Sequence, residues 1–279
     1  MNIHATLHEA VKALNKSGTS DESKLEAQLL LERTLNVNHA WLIAHAEDEV
    51  NLKDQTQFQA LIQRRMTGEP IAYILGERAF YGLNLKVTPN TLIPRSDTET
   101  LVDAALTLIP NKVSMKLLDL GTGSGAIALA IAKHRPLSKI MAVDASNEAL
   151  TVAQENALNL RISNVQFLMS NWFANLQNQT YDVIVSNPPY IEESDLHLNQ
   201  GDLRFEPISA LTSGKDGLND IRHIISHAKT HLNPSGWLLI EHGYNQSNQV
   251  ADLMHHAEFN SIKHINDLAG IERITMAQT

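Results

Sequence analysis

The run Val183-Ile184-Val185-Ser186 stops at Asn187-Pro188-Pro189-Tyr190, and no other junction constrains the fold as tightly. β-branched residues ended by two prolines predict a buried strand with a rigid exit. Proline fixes φ and lacks an N–H, so the tetrapeptide cannot enter a helix and its carbonyls stay available. The Asn187 amide and the Tyr190 ring are therefore expected at a strand end, where open α/β sheets place their ligands.

That strand belongs to a series. Lys116 to Leu120 predicts a strand, followed by Gly121-Thr122-Gly123-Ser124-Gly125 and an apolar helix over Ala126 to His134, ended by Pro136. Further strands are expected at Lys139 to Val143, Val165 to Met169, Tyr181 to Ser186 and Trp237 to Ile240. Ile262 to Asn266 and Arg273 to Met276 add two more. Ser146 is suited to cap a helix over Asn147 to Leu160, and Leu218 to Leu232 reads as helical. Strands alternating with helices mean an α/β fold with a parallel, doubly wound sheet.

Residues 1–75 read differently. Leu7, Val11 and Leu14 share one helical face, a second helix runs from about Glu22, and Ala40 to Ala44 and Gln55 to Met66 supply two more. This is a small helical bundle, suited to packing or partner binding. Residues 76–98 form the expected linker, with Phe80-Tyr81-Gly82 and Leu83 to Val87 as a hairpin and Ser96 or Asp97 capping a helix over Thr100 to Leu108. Residues 99–279 then form the α/β domain.

Composition narrows the chemistry. With no cysteine there is no thiol nucleophile or thiolate metal site. A net charge of −9 disfavours a broad grip on phosphate backbones. No apolar run spans a bilayer and no secretory signal opens the chain, so the expected location is cytoplasmic. His223, His227 and His231 fall at helical spacing, but without a carboxylate or cysteine partner they read as a solvated face, and no metal is expected.

The glycine stretch between strand and helix lets a ligand approach the backbone. Gly121, Gly123 and Ala126 with Asp144 about 20 residues on fit a dinucleotide pattern as well as S-adenosylmethionine, since both carry a ribose diol. Two features favour S-adenosylmethionine. Asp119 is poorly placed beside a pyrophosphate but acceptable near a sulfonium, and hydride transfer has no use for Asn187-Pro188-Pro189-Tyr190. A planar amide nitrogen is a weak nucleophile because its lone pair is delocalised. The Asn187 oxygen and the Pro188 carbonyl would grip its N–H groups, and Tyr190 would pack on its flat face.

The glycine loop, Asp144 and the tetrapeptide together resemble class I S-adenosylmethionine-dependent amino-methyltransferases. Gly68 to Gly76, Phe80-Tyr81-Gly82, Thr91 to Arg95 and Arg204-Phe205-Glu206-Pro207 resemble one branch, the peptide chain release factor glutamine methyltransferases (PrmC/HemK family). The resemblance implies a Rossmann-like seven-stranded sheet and methylation at N5 of the glutamine in the Gly-Gly-Gln loop of bacterial release factors, by a monomer that holds no nucleic acid and no membrane. It implies that the bundle recognises the release factor. It also implies that Gly121, Thr122, Gly123, Ser124 and Gly125 wrap the methionine part of the cofactor, Asp144 the ribose, and Trp172 the adenine. Asn187 would touch both cofactor and substrate, and Asn187, Pro188, Pro189 and Tyr190 would form the glutamine pocket. The family commonly has proline at Ser96 and aspartate at Asn171, so a looser linker and a missing carboxylate near the adenine are expected here. Glu241 and His242, ending the fifth strand, are candidates for the cleft wall without an assigned role. A nucleic-acid amino-methyltransferase, a catalytically silent binding protein and a nicotinamide oxidoreductase are the competing readings.

Overall fold

The computed structural model describes all 279 residues, which form two compact units: Met1–Gly76 with His197–Phe205, and Glu77–Leu196 with Glu206–Thr279. The hairpin expected as a separate linker is part of the second unit, and a nine-residue excursion from the later chain completes the first.

In the first unit, helices α1 (Ile3–Ser17), α2 (Ser23–Leu35), α3 (His39–Ala44), α4 (Leu52–Met66) and α5 (Ile71–Leu75) surround a core that includes Leu14, Leu30, Leu31 and Phe58. Each such side chain stabilises the unit by about 1.5–3 kcal/mol when fully buried. Asn2, Asn38 and Asn51 cap α1, α3 and α4 by accepting from the backbone three residues on. The short α5 is bounded by Pro70 and Gly76. Arg65 is buried. Its guanidinium donates to Glu26 (2.8 Å) and to the Thr19 and Glu69 carbonyls, while Arg64 pairs with Glu69. Within this unit Arg204 donates to the Thr67 carbonyl at 2.8 Å.

The second unit opens with the hairpin β1 (Glu77–Phe80) and β2 (Leu83–Lys86), whose register pairs Phe80 with Leu83. A 3₁₀ turn over Ser96–Thr98 leads into α6 (Glu99–Leu108). Neither Ser96 nor Asp97 caps this helix: Thr98 holds the cap position and no side chain bonds there. There follow β3 (Lys116–Leu120), α7 (Ala126–His134), β4 (Lys139–Asp144), α8 (Asn147–Asn159), β5 (Val165–Met169), β6 (Tyr181–Ser186), α9 (Asn219–Ala228), β7 (Leu232–Glu241), α10 (Ser247–His256), β8 (Asn260–Asn266) and β9 (Glu272–Gln278). Ser146 caps α8 as expected, its Oγ accepting from the Ala149 N–H at 3.1 Å.

The seven strands from β3 to β9 form one sheet in the order β5-β4-β3-β6-β7-β9-β8. The first five in that order run parallel, whereas β9 is antiparallel to both β7 and β8, so the sheet is mixed rather than wholly parallel. Strand alternation sends Leu117, Ile140, Val183, Val185 and Leu239 to one face, against α6 and α7. Leu118, Leu120, Ile184, Leu238 and Ile240 go to the other, against α9 and α10. Both faces are therefore covered, which is why β6 reads as a continuous apolar run.

Candidate active site

Strand order reverses at β3 and β6. The chain runs outward from β3 through β4 to β5 and then returns, placing β6 on the other side of β3. A crevice opens at the carboxyl ends of such a pair. The glycine turn leaves β3 and Asn187-Pro188-Pro189-Tyr190 leaves β6, and Leu120 and Ser186 are register partners at the last step. Ser186 Oγ donates to the Leu120 carbonyl at 2.9 Å, tying the two exits together.

The glycine turn is held from below and from the side. The Gly121 and Thr122 N–H groups both donate to the Val143 carbonyl at 2.9 Å. Asp119 is buried, and its Oδ2 accepts from Thr122 Oγ1 (2.7 Å) and the Ala128 N–H (3.2 Å), bracing the turn against the start of α7. Its Oδ1 is buried without a partner, and desolvation pushes the carboxyl up to about 7. Asp119 thus supports the turn rather than lining the cavity above it. Thr122, Ser124 and Gly125 are likewise buried beneath the turn, and only Gly121 and Gly123 reach the cavity wall.

Asp144, at the end of β4, accepts from the Gly123 N–H through Oδ2 (2.8 Å) and from the Ser146 N–H through Oδ1 (2.9 Å). Burial raises its carboxyl, and these backbone donors, with Ala145, hold that rise back. Each oxygen keeps a lone pair for a further donor. Trp172 adopts a positive φ of 49° just beyond β5. Its indole N–H donates to Asp220 Oδ1 at 3.1 Å, and Asp220 Oδ2 accepts from Ser213 Oγ at 2.6 Å. A Cβ at Gly121 would lie 3.4 Å from the indole ring, so glycine leaves that ring face clear.

Within the tetrapeptide the residues divide. Asn187 and Pro189 line the cavity, whereas Pro188 is buried and Tyr190 packs against the core on the α9 face. Burial raises the Tyr190 phenol well above its ordinary range. The Tyr190 carbonyl accepts from Gln246 Nε2 at 3.0 Å, and a Cβ at Gly217 would fall 2.2 Å from that same oxygen. Asn187 Nδ2 donates to Thr98 Oγ1 at 3.1 Å. Glu241 and His242 are not part of the cavity wall: both are buried, Glu241 against Thr98 and His242 between Thr275 and the Gly243 carbonyl.

The cavity has a volume of about 350 Å³, within the roughly 300–1,000 Å³ of small-ligand sites. Gly121, Gly123, Asp144, Trp172 and Asn187 all line it, together with Asn171. Its outer wall includes Pro89 to Leu92 and Pro207, Ser209 and Ala210. Two carboxylates, Asp144 and Asp220, face it, and no lysine, arginine or histidine does. Such a lining suits a cation and leaves a pyrophosphate without a countercharge. Both outer wall segments are tied by Glu206, which accepts from the Ile93 N–H at 2.9 Å and pairs with Arg95. The motif resemblance flagged these two segments, but nothing local in the sequence marked Asp220, Thr98 or Ser213. His223 and His227 stack on one another on the exposed side of α9, and His231 stacks on Phe173.

A family model described as the PrmC N-terminal domain matches residues 5–76, and one described as the methyltransferase small domain matches residues 98–203. A release factor glutamine methyltransferase of Vibrio cholerae is 45% identical over 282 residues, covering 100% of this chain and 97% of that protein. One of Salmonella typhimurium is 44% identical over 275 residues, covering 99% of this chain and 98% of that protein. The chain belongs to the release factor glutamine methyltransferases. Among solved structures, a methyltransferase from Pyrococcus furiosus shares the fold, with a TM-score of 0.54 at 22% identity over 79% of this chain and 96% of that one. Membership in the release factor glutamine methyltransferases bears out the family resemblance, the enzyme class and the Rossmann-like class I fold with its helical N-terminal region.

Proposed function

We propose that the cavity binds S-adenosylmethionine and that the enzyme methylates the side-chain amide nitrogen (N5) of the glutamine in the Gly-Gly-Gln motif of bacterial release factors, modulating translation termination. The observation that carries this reading is the acidic, base-free lining beside the Asn187 exit, in a chain of this family. It favours a sulfonium and an ammonium over the pyrophosphate of a nicotinamide cofactor.

When bound, the cofactor supplies a methyl group activated by its positive sulfur, so no strong general base is needed before transfer. The protein's residues bind and orient. Asp144 offers acceptors for a ribose diol, Trp172 an apolar plane for the adenine, and the Gly121 and Gly123 backbone a close approach for the methionine end. Thr122, Ser124 and Gly125 act from beneath by shaping that backbone. Asn187 presents an acceptor to the substrate amide and, with the Pro188 carbonyl, orients its nitrogen. Pro189 forms the near wall, and Tyr190 acts by fixing the strand exit.

We assign release-factor recognition to the helical unit and expect a cytoplasmic monomer with no stable nucleic-acid partner. No helix is long and apolar enough to cross a membrane. The test incubates the protein with labelled S-adenosylmethionine and, separately, release factor, total RNA and DNA. Label is expected on the release factor and should vanish when its Gly-Gly-Gln glutamine is replaced. Label on nucleic acid alone would overturn the assignment.

A further inference from the structure

Behind the cavity wall lies a buried polar chain drawn from three distant parts of the sequence. Asn187 Nδ2 donates to Thr98 Oγ1 at 3.1 Å, and Thr98 Oγ1 donates to Glu241 Oε1 at 3.2 Å. Thr98 is 4% exposed and Glu241 2%, so water does not compete for the link between them. Glu241 Oε2 is buried with no hydrogen-bond partner. Native proteins seldom leave such a group unsatisfied, because a partnerless buried carboxylate oxygen costs stability.

The order of donors fixes the order of everything upstream. When Glu241 is ionised its carboxylate only accepts, so the single Thr98 hydroxyl proton is committed to it. The Thr98 oxygen is then left as an acceptor, and only the Nδ2 side of the Asn187 amide can face it. The polar atom remaining for the cavity is Oδ1.

We propose that Thr98 and Glu241 are positioning residues that hold the Asn187 side chain with its oxygen toward the substrate. Without them the amide can rotate by half a turn and present Nδ2, a donor, to the substrate N–H, where donor meets donor. This inference rests on the proposed role of Asn187 in gripping the substrate amide. Arg273 and Asp97 act on Glu241 with opposite sign, and the Asn187 amide lies near enough to lower its carboxyl without bonding to Oε2.

The test measures kcat and KM for release factor and the dissociation constant for S-adenosylmethionine in full-length variants. Thr98→Val keeps the shape and removes the hydroxyl. Its kcat should fall about 10- to 100-fold, the range for a misoriented catalytic contact, with cofactor affinity changed less than about threefold. Thr98→Ser restores the hydroxyl and should recover most of kcat, a rescue that a purely packing role would not give. Glu241→Gln, which can donate to Thr98 and reverse the chain, should also lower kcat while melting cooperatively, so it serves if Thr98→Val does not fold. Wild-type kcat in both Thr98→Val and Glu241→Gln would overturn the relay, as would a Thr98→Ser no better than Thr98→Val. Asn187→Ala, run alongside, separates the two claims. If it alone is crippled, the relay fails; if it turns over normally, the amide-gripping role of Asn187 itself fails.

Discussion

Asp220 and Trp172 are 48 residues apart in the chain, yet one hydrogen bond determines which way the indole faces. The carboxylate is in turn fixed by Ser213, whose Oγ donates to Oδ2 and accepts from the Asp220 N–H. A charged acceptor on an indole N–H is worth about 1.5–3 kcal/mol. Asp220→Ala should therefore free the indole and raise the dissociation constant for S-adenosylmethionine by up to about tenfold, with kcat at saturating cofactor changed less. Calorimetric titration reads this directly, and an unchanged constant would remove Trp172 from the cofactor's wall. The stretches that sequence made legible, Gly121 to Gly125 and Asn187 to Tyr190, are each contiguous and sit at strand exits. Asp220, Thr98 and Glu241 act through side chains brought together by folding, and no spacing along the chain encodes that.

Among the elements, the exit of β6 is held by a loop that approaches unusually closely. Gly217, at φ 71°, leaves no room for a side chain beside the Tyr190 carbonyl, which Gln246 also holds. Gly217→Ala adds both a left-handed strain and a backbone collision, so a loss of about 2 kcal/mol or more in stability is expected, with turnover reduced through the displaced Asn187. Thermal melts and kcat report the two effects, and a wild-type melting curve would show that the loop gives way freely. Helices and strands with strong periodicity, such as α7, β3 and β6, were legible from sequence. The short α5 and the 3₁₀ entry to α6 were not, because each is too short to carry a period, and α10, with Val250 and Met254 buried one turn apart, went unread. The reversal at β9 escaped for a related reason. A strand that pairs antiparallel carries the same apolar alternation as one that pairs parallel, and only the connection distinguishes them.

For the whole molecule, the buried carboxyl of Glu241 links stability to pH. Burial raises it from 4.5 to about 7, and Thr98, Arg273 and Asn187 lower it only partly. Between those values the folded protein holds a proton that the unfolded chain has released, so its contribution is full below about pH 4.5 and is lost as pH rises through 7. Glu241→Gln removes that dependence. The unfolding free energy of the variant relative to wild type should therefore grow by about 1 kcal/mol per pH unit between about pH 5 and pH 7. Urea unfolding at several pH values measures the gap, and a gap independent of pH would contradict the raised carboxyl. Taking the difference cancels Asp119, which shifts in the same direction, and His242, which burial shifts the opposite way.

The segment His197–Phe205 belongs to the unit that Met1–Gly76 begins, and this bears on how the chain is born. During synthesis the first 76 residues leave the ribosome early, but Arg204, which bonds Thr67, and Asp202, which pairs with Arg65, are made only after β6. Domains usually fold from the N-terminus as they emerge. The core of the opening helices draws only on residues 3–75, but these two bonds close only after the strands from β3 to β6 have been translated, so an enzyme of translation termination completes its own first unit late in translation.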